Sequence, residues 1–275
     1  MPGSKQDEAG AEARKGNVQS VERALLLLEL LGEDAEGYRL TDLSARSGLS
    51  PSTVHRLLTT LEKRHFVQFD QTDGMWHVGR QAFTVGATFV RQRNFVAPAL
   101  PLLRRLRDLT HETANLGIVD DGEMVVLTQI ESREIMRAIT RVGGRAPMFA
   151  SGMGKAILAT YAPDDVAALV SRFGMKRLTP ATLTRASDLK EEIKTIRKLG
   201  YAVDDEEYVQ GLRCVAAVVH NHMGEALCAI SVSGLPARMT KERLPQVGRL
   251  VAETAAELTQ LLGGKAPVDP TADGR

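Results

Sequence analysis

Apolar positions along the chain follow two different rhythms, and the change comes near Pro98. Over residues 20–32, Val21, Ala24, Leu25, Leu28 and Leu31 recur at helical spacing, with Ser20 standing where an N-cap would. After a loop over 32–37, a short helix capped by Thr41 runs through Ser47, and Gly48-Leu49-Ser50 makes a turn. Ser50-Pro51 is a strong helix start, because Ser caps the free N–H groups and Pro in the first position forfeits no hydrogen bond. The helix it opens runs to about Arg64. Val54, Leu57, Leu58 and Leu61 fall on one face at i, i+3, i+4 and i+7, and Ser52, Arg56, Thr59 and Lys63 fall on the other. Residues 66–69 and 75–78 flank a turn over 70–74 and read as a two-stranded hairpin, and 81–94 reads as an amphipathic linking helix.

Beyond Pro98 a helix runs to about His111, carrying Leu102, Leu103, Leu106 and Leu109. Strand runs then occupy 116–119, 123–130 and 135–140, followed by helices near 152–160, 164–172 and 187–200, the last ended by Gly200. Two apolar strands, 212–219 and 226–232, flank the turn Asn221-His222-Met223-Gly224, and 241–262 is the final helix. The fold class expected is α+β: an N-terminal winged helix-turn-helix, then a domain with a largely antiparallel sheet and flanking helices. The expected divisions are an arm over 1–16, the winged helix-turn-helix over 17–80, a linking helix over 81–97, a second domain over 98–263 and a tail over 264–275. Both ends are rich in Gly, Ala, Pro and charge and read as disordered.

Composition narrows the function. The length of 275 residues suits two domains, and 43% hydrophobic with 25% charged residues is ordinary for a soluble protein. Lys and Arg total 35 against 34 Asp and Glu, so net charge supplies no affinity for nucleic acid. DNA contact has to come from local basic groups, doubled by a dimer. The two cysteines, Cys214 and Cys228, lie in apolar runs without a CxxC spacing, so neither a disulfide scaffold nor a zinc site is expected, and nothing calls for a cofactor. No apolar h-region opens the chain, and no run approaches the ~18–20 residues of a membrane span. A cytoplasmic, soluble protein is expected.

The helix opened by Ser50 carries the candidate DNA chemistry. Ser52, Thr53, Arg56 and Thr59 can meet base edges in a major groove, and Lys63, Arg64 and the helix N-terminus can hold phosphate. His55, at the side of this face, can contact either. Small residues from Ser50 to Thr53 allow close approach. The same pattern also fits a small helical module that binds protein, in which the polar face is only solvated.

Catalysis finds little support. Ser151-Gly-Met-Gly-Lys155 is not a phosphate loop, since Phe149 and Ala156 stand where Gly and Ser or Thr are needed, and its Lys is one residue too far for S-x-x-K. Cys214 and His220 are separated by about 20 Å along an extended run at ~3.3 Å per residue, and His222 lies in the turn beyond.

The runs VQSVERALLLLELL, LTDLSARSGLSPSTVHRLLTTLEKRHFVQ and WHVG, followed by PMFASGMGKAILA, LKEEIKTIRKLGYAVDDEEYVQGLRCVAAVV and AISVSGLPARM, resemble the IclR family of bacterial regulators over residues 17–262. The HRLLTT, DDEE, GLRC and ISVSG segments are similar to its glyoxylate-responsive members. The resemblance implies a homo-oligomer, commonly a dimer of dimers, a palindromic operator on double-stranded DNA, and a small carboxylic acid effector such as glyoxylate. It places the effector site at Met153 and Gly154, Asp204, Cys214, Ser231 and Ser233, with Ile135, Ala138 and Leu212 as an apolar wall. Backbone N–H groups at a helix N-terminus hold a carboxylate without a cation. Asp204 beside an anion would accept from a hydrated aldehyde or be protonated. The family often has Met where Ala138 stands, which widens the wall and leaves a larger hydroxy or aromatic acid as an alternative effector. Repression or activation is left open.

Overall fold

The computed structural model describes residues 18–91, 95–136 and 141–265. Contacts divide the chain into two compact units, 1–92 and 93–275. Among the described residues no helix is long and apolar enough to cross a membrane.

In the first unit, α1 (Gln19–Gly32), α2 (Leu40–Ser47) and α3 (Pro51–Lys63) pack around Leu27, Leu31, Leu43, Val54 and Leu58, all essentially solvent-free. The expected caps differ in detail. Ser20 and Thr41 lie inside α1 and α2, whose N-caps are Val18 and Arg39, without a side-chain hydrogen bond at either end. Ser50 does cap α3, accepting from the Thr53 N–H at 3.3 Å, with Pro51 in the first turn. Gly48 ends α2 at φ +67, a left-handed conformation that favours glycine and turns the chain into α3. The wing is β1 (Val67–Asp70) paired antiparallel with β2 (Met75–Val78), and Tyr38 adds a bridge to Trp76. The buried Trp76 ring lies 5.1 Å from Phe69, tying the wing to the helical core. The linking helix, α4, is Arg80–Arg91; the rest of its expected range, 92–94, lies outside the described residues.

The second unit is a six-stranded antiparallel sheet in the order β5-β4-β3-β8-β7-β6. Its strands are β3 (Thr113–Asp120), β4 (Glu123–Ile130), β5 (Arg145–Pro147), β6 (Ala202–Asp205), β7 (Arg213–His220) and β8 (Ala226–Gly234). Four features differ from the sequence reading. β3 starts at Thr113, three residues early; β5 and β6 are additional strands; and Ile135 and Met136 lie in an exposed bend, not a strand, while 137–140 lie outside the described residues. β5 is short and β6 polar, so neither carries the apolar alternation by which strands are found.

The central strands β3, β7 and β8 are buried over most of their length. Alternation sends Asn115, Cys214, Ala216, Ser231 and Ser233 to one face. That face receives α6 (Gly152–Leu158), with α8 (Ala186–Leu199) packed behind it. Val215, Ala217 and Val219 point the other way. The sheet also carries α5 (Val96–Thr110) and α9 (Leu244–Leu261), which pack on each other. A further helix, α7 (Pro163–Phe173), has no fully buried residue.

Candidate functional site

In the first unit the outer face of α3 is open. Ser52, His55, Arg56, Lys63 and Arg64 are exposed, and Thr53 and Thr59 are half-buried. The Ser50 hydroxyl is 3.1 Å from Ser52 Oγ and 2.9 Å from Thr53 Oγ1, so it organises the first turn as well as capping it. Thr59 Oγ1 donates back to the His55 carbonyl at 2.8 Å, so only its lone pairs and methyl face outward. Glu62 Oε1 accepts from the Phe69 N–H at 3.3 Å, fixing the wing to the helix that the groove would receive. His65 takes φ +60 where α3 gives way to the wing. An exposed helix with small residues at its capped start, Arg at its middle, two cations at its end and a hairpin beyond has the geometry of major-groove readout.

In the second unit, the face of the sheet beneath α6 encloses a cavity of about 560 Å³. Of the residues expected at an effector site, Met153, Asp204, Leu212, Cys214, Ser231 and Ser233 line it. The register makes this one cluster: Asp204 faces Cys214, Cys214 faces Ser233, and Ser231 faces Asn115. Two of the described residues expected here, Ile135 and Gly154, are not in the lining. Ile135 is 96% exposed and is not part of the lining. Ala138 lies outside the described residues. Gly154 is behind the wall: its N–H donates to the capping Ser151 Oγ at 3.1 Å, and a Cβ there would come within 2.4 Å of Met148 Cα. The glycine is required by packing, and the N–H groups of α6 that lack an intrahelical partner on the cavity side belong to Gly152 and Met153.

Two arginines, Arg141 and Arg145, belong to the cavity lining, and the Arg145 guanidinium is held by Glu123 at 2.7 Å and Asp120 at 2.9 Å. Burial pushes the Asp204 carboxyl up to about 7, against the pull of the Glu207 N–H, which it accepts at 2.7 Å. Burial also pushes the Cys214 thiol up to about 11, the opposite of an activated nucleophile. Besides the arginines and a mainly apolar surface, the walls offer hydroxyls, a thiol, an amide and, near neutral pH, a partly protonated acid.

Sequence reasoning missed Asn115, Ser151 and Tyr208, which also line the cavity, and the buried Lys155, which is joined to Asp204 through Glu207. Lys155 is fully buried and ion-paired with Glu207 and with Glu192, the latter at 3.1 Å. Asn115 had one available signal: an amide in an otherwise apolar strand.

A winged helix-turn-helix followed by a domain with a mainly apolar cavity carrying a few converging polar groups defines a DNA-binding transcription regulator with a separate sensory module. Family comparison agrees with that class. Residues 20–71 match the IclR helix-turn-helix domain, and residues 87–260 match the bacterial transcriptional regulator IclR C-terminal domain. The chain belongs to the IclR family. It is 40% identical to the acetate operon repressor of Salmonella typhimurium, over 90% of this chain and 92% of that one. It is 42% identical to the HTH-type transcriptional regulator BhcR of Paracoccus denitrificans, over 91% and 89%. Among solved structures, the Thermotoga maritima IclR superposes with a TM-score of 0.76 at 26% identity, over 90% of this chain and all of that one.

Proposed function

We propose that this regulator senses a small 2-oxo acid, glyoxylate being the simplest that fits, and that the acid changes its affinity for a palindromic operator controlling two-carbon metabolism. The observation that carries the reading is the convergence of Met153, Asp204, Cys214, Ser231 and Ser233 on one cavity from separate strands and a helix. Neutral donors hold a carboxylate, and Asp204 accepts from a hydrated aldehyde when ionised or donates when protonated. The likeness to an acetate operon repressor supports the metabolic setting.

On the DNA side, Ser52, Thr53, His55, Arg56 and Thr59 read bases, and Lys63, Arg64 and the Ser50-capped turn hold phosphate. Homo-oligomerisation doubles these contacts. It is supported by the apolar surface that α4 leaves exposed at Phe83 and Val85, 78% and 50% accessible. An effector acts by binding the DNA-competent and DNA-incompetent arrangements unequally.

A second reading, a larger hydroxy or aromatic acid, is favoured by the cavity volume of about 560 Å³, roomy for a two-carbon acid. Calorimetric titration with glyoxylate, pyruvate, glycolate and 4-hydroxybenzoate separates the two. Saturable binding of glyoxylate, lost in Ser231→Ala/Ser233→Ala, supports the first. Tighter binding of 4-hydroxybenzoate overturns it in favour of the second.

A further inference from the structure

Asn115 stands on β3 directly opposite Ser231 in register, and it is 1% exposed. Its Nδ2 lies 3.3 Å from Ser231 Oγ and 3.2 Å from Ser233 Oγ. An amide nitrogen carries two protons and accepts nothing, so it satisfies both contacts by donating. The amide oxygen Oδ1 is buried without a hydrogen-bond partner. Turned over, the amide would set Oδ1 against the serines and bury two N–H donors unpaired in its place. Orphaned N–H groups are rarer in folded proteins than under-used carbonyl oxygens, so the orientation seen is the better one.

The consequence falls on the serines. A hydroxyl has one proton and two lone pairs. With an amide N–H seated on a lone pair of each, both hydroxyl protons must point away from Asn115. Among the described residues neither hydroxyl donates a hydrogen bond to a protein acceptor, and the group beside them on this face is Cys214, opposite Ser233 in register. Sulfur is at best a weak acceptor, so a carboxylate that enters the cavity takes those protons readily. Ser231, Ser233 and Cys214 all face the cavity.

We propose that Asn115 is a positioning residue of the cavity: by donating to both serines it obliges them to donate in turn, and so makes the site prefer a carboxylate over the corresponding neutral amide. The proposal rests on reading the cavity as an acid site, but not on which acid fills it.

The test uses the full-length protein and three acid–amide pairs: glyoxylate and glyoxylamide, pyruvate and pyruvamide, 4-hydroxybenzoate and 4-hydroxybenzamide. Calorimetry gives the ratio of acid to amide affinity for whichever pair binds. In Asn115→Ala that ratio is expected to fall at least about tenfold, the worth of a charge-assisted hydrogen bond. A merely structural defect lowers both affinities and leaves the ratio alone. A second signature is coupling: Ser231→Ala/Ser233→Ala lowers acid affinity in the wild type and has little further effect in Asn115→Ala. Should Asn115→Ala fail to fold, the near-isosteric Asn115→Asp carries the test, because its carboxylate draws both serine protons to itself and the preference passes to the amide. An unchanged ratio in either folded variant, or full additivity with the serine pair, overturns the proposal while leaving the acid-site reading intact. Loss of the ratio with 4-hydroxybenzoate alone upholds the role of Asn115 and overturns glyoxylate as the effector. If none of the three acids binds the wild type, both readings fall.

Discussion

The ammonium of Lys155 donates to the carboxylate of Glu207, and the backbone N–H of that same Glu207 donates to Asp204. The acid on the cavity wall and the fully buried cation behind it are thus joined through one residue. Burial raises the Glu207 carboxyl above its ordinary range, and Lys155 offsets part of that shift.

Removing the cation should therefore be expensive. Lys155→Met leaves Glu207 and part of Glu192 buried without a counter-charge, and loss of one partner of a buried pair typically costs about 3–5 kcal/mol. Lys155→Met with Glu207→Leu should recover most of it. Chemical denaturation checks both; a single variant within about 1 kcal/mol of wild type would show that the pair does not matter to the fold.

Asp204 predicts a pH dependence. Its folded value of about 7 lies above the unfolded carboxylate value near 4, so between these limits the folded state holds the extra proton. Stability from this group therefore declines as pH rises from about 4 to 7 and levels off above. Affinity for a carboxylate should fall over pH 6–8, by up to about tenfold per unit, as the charge forms. Lys155, Glu207, Tyr208 and Cys214 surround the group; the Glu207 carboxyl, also raised by burial, would give the same sign, whereas the Cys214 thiol is pushed up and stays neutral. Asp204→Asn should flatten the affinity profile. A slope that survives the substitution assigns the titration elsewhere.

Two glycines two residues apart should behave differently. A Cβ on Gly154 meets Met148 backbone at 2.4 Å, whereas one on Gly152 meets the Cys214 side chain at 3.1 Å. Gly154→Ala should destabilise the domain by about 1–3 kcal/mol or more. Gly152→Ala should fold and bind acid more weakly. Thermal melts beside titration separate the effects, and equal melts for the two variants would contradict the packing argument.

On the DNA side, Arg56→Ala should leave the fold intact, because the side chain is exposed, and should reduce discrimination between operator and unrelated DNA by about 1–3 kcal/mol. Ser50→Ala should instead lose the cap, about 1 kcal/mol of stability, and weaken binding to all sequences alike. Gel shifts against both DNAs distinguish these patterns. Undiminished preference in Arg56→Ala would remove it from base readout.

The helices were legible because each carries its apolar face in its own sequence: Val54, Leu57, Leu58 and Leu61 declare α3 without outside help. The wing and the paired strands β7 and β8 were legible through alternation and turn residues. β6 was not, because Asp204 and Asp205 read as a solvated turn until a neighbouring strand covers them. The cavity was legible only in part. Asp204, Cys214, Ser231 and Ser233 stood out through family likeness, whereas Asn115 and Lys155 owe their significance to partners far along the chain. Gly154, which lies outside the lining, lets α6 approach Met148, a close contact that no local pattern reveals.

The pairing of β3 with β8 joins residues 116 positions apart, and the cavity floor is made at that seam. Such long-range closure comes late when a chain folds. A ligand seated across the seam finds nothing to hold in a half-folded chain. It should leave the folding rate almost unchanged and slow unfolding instead, so that the sensed metabolite also sets how long each molecule of the regulator survives.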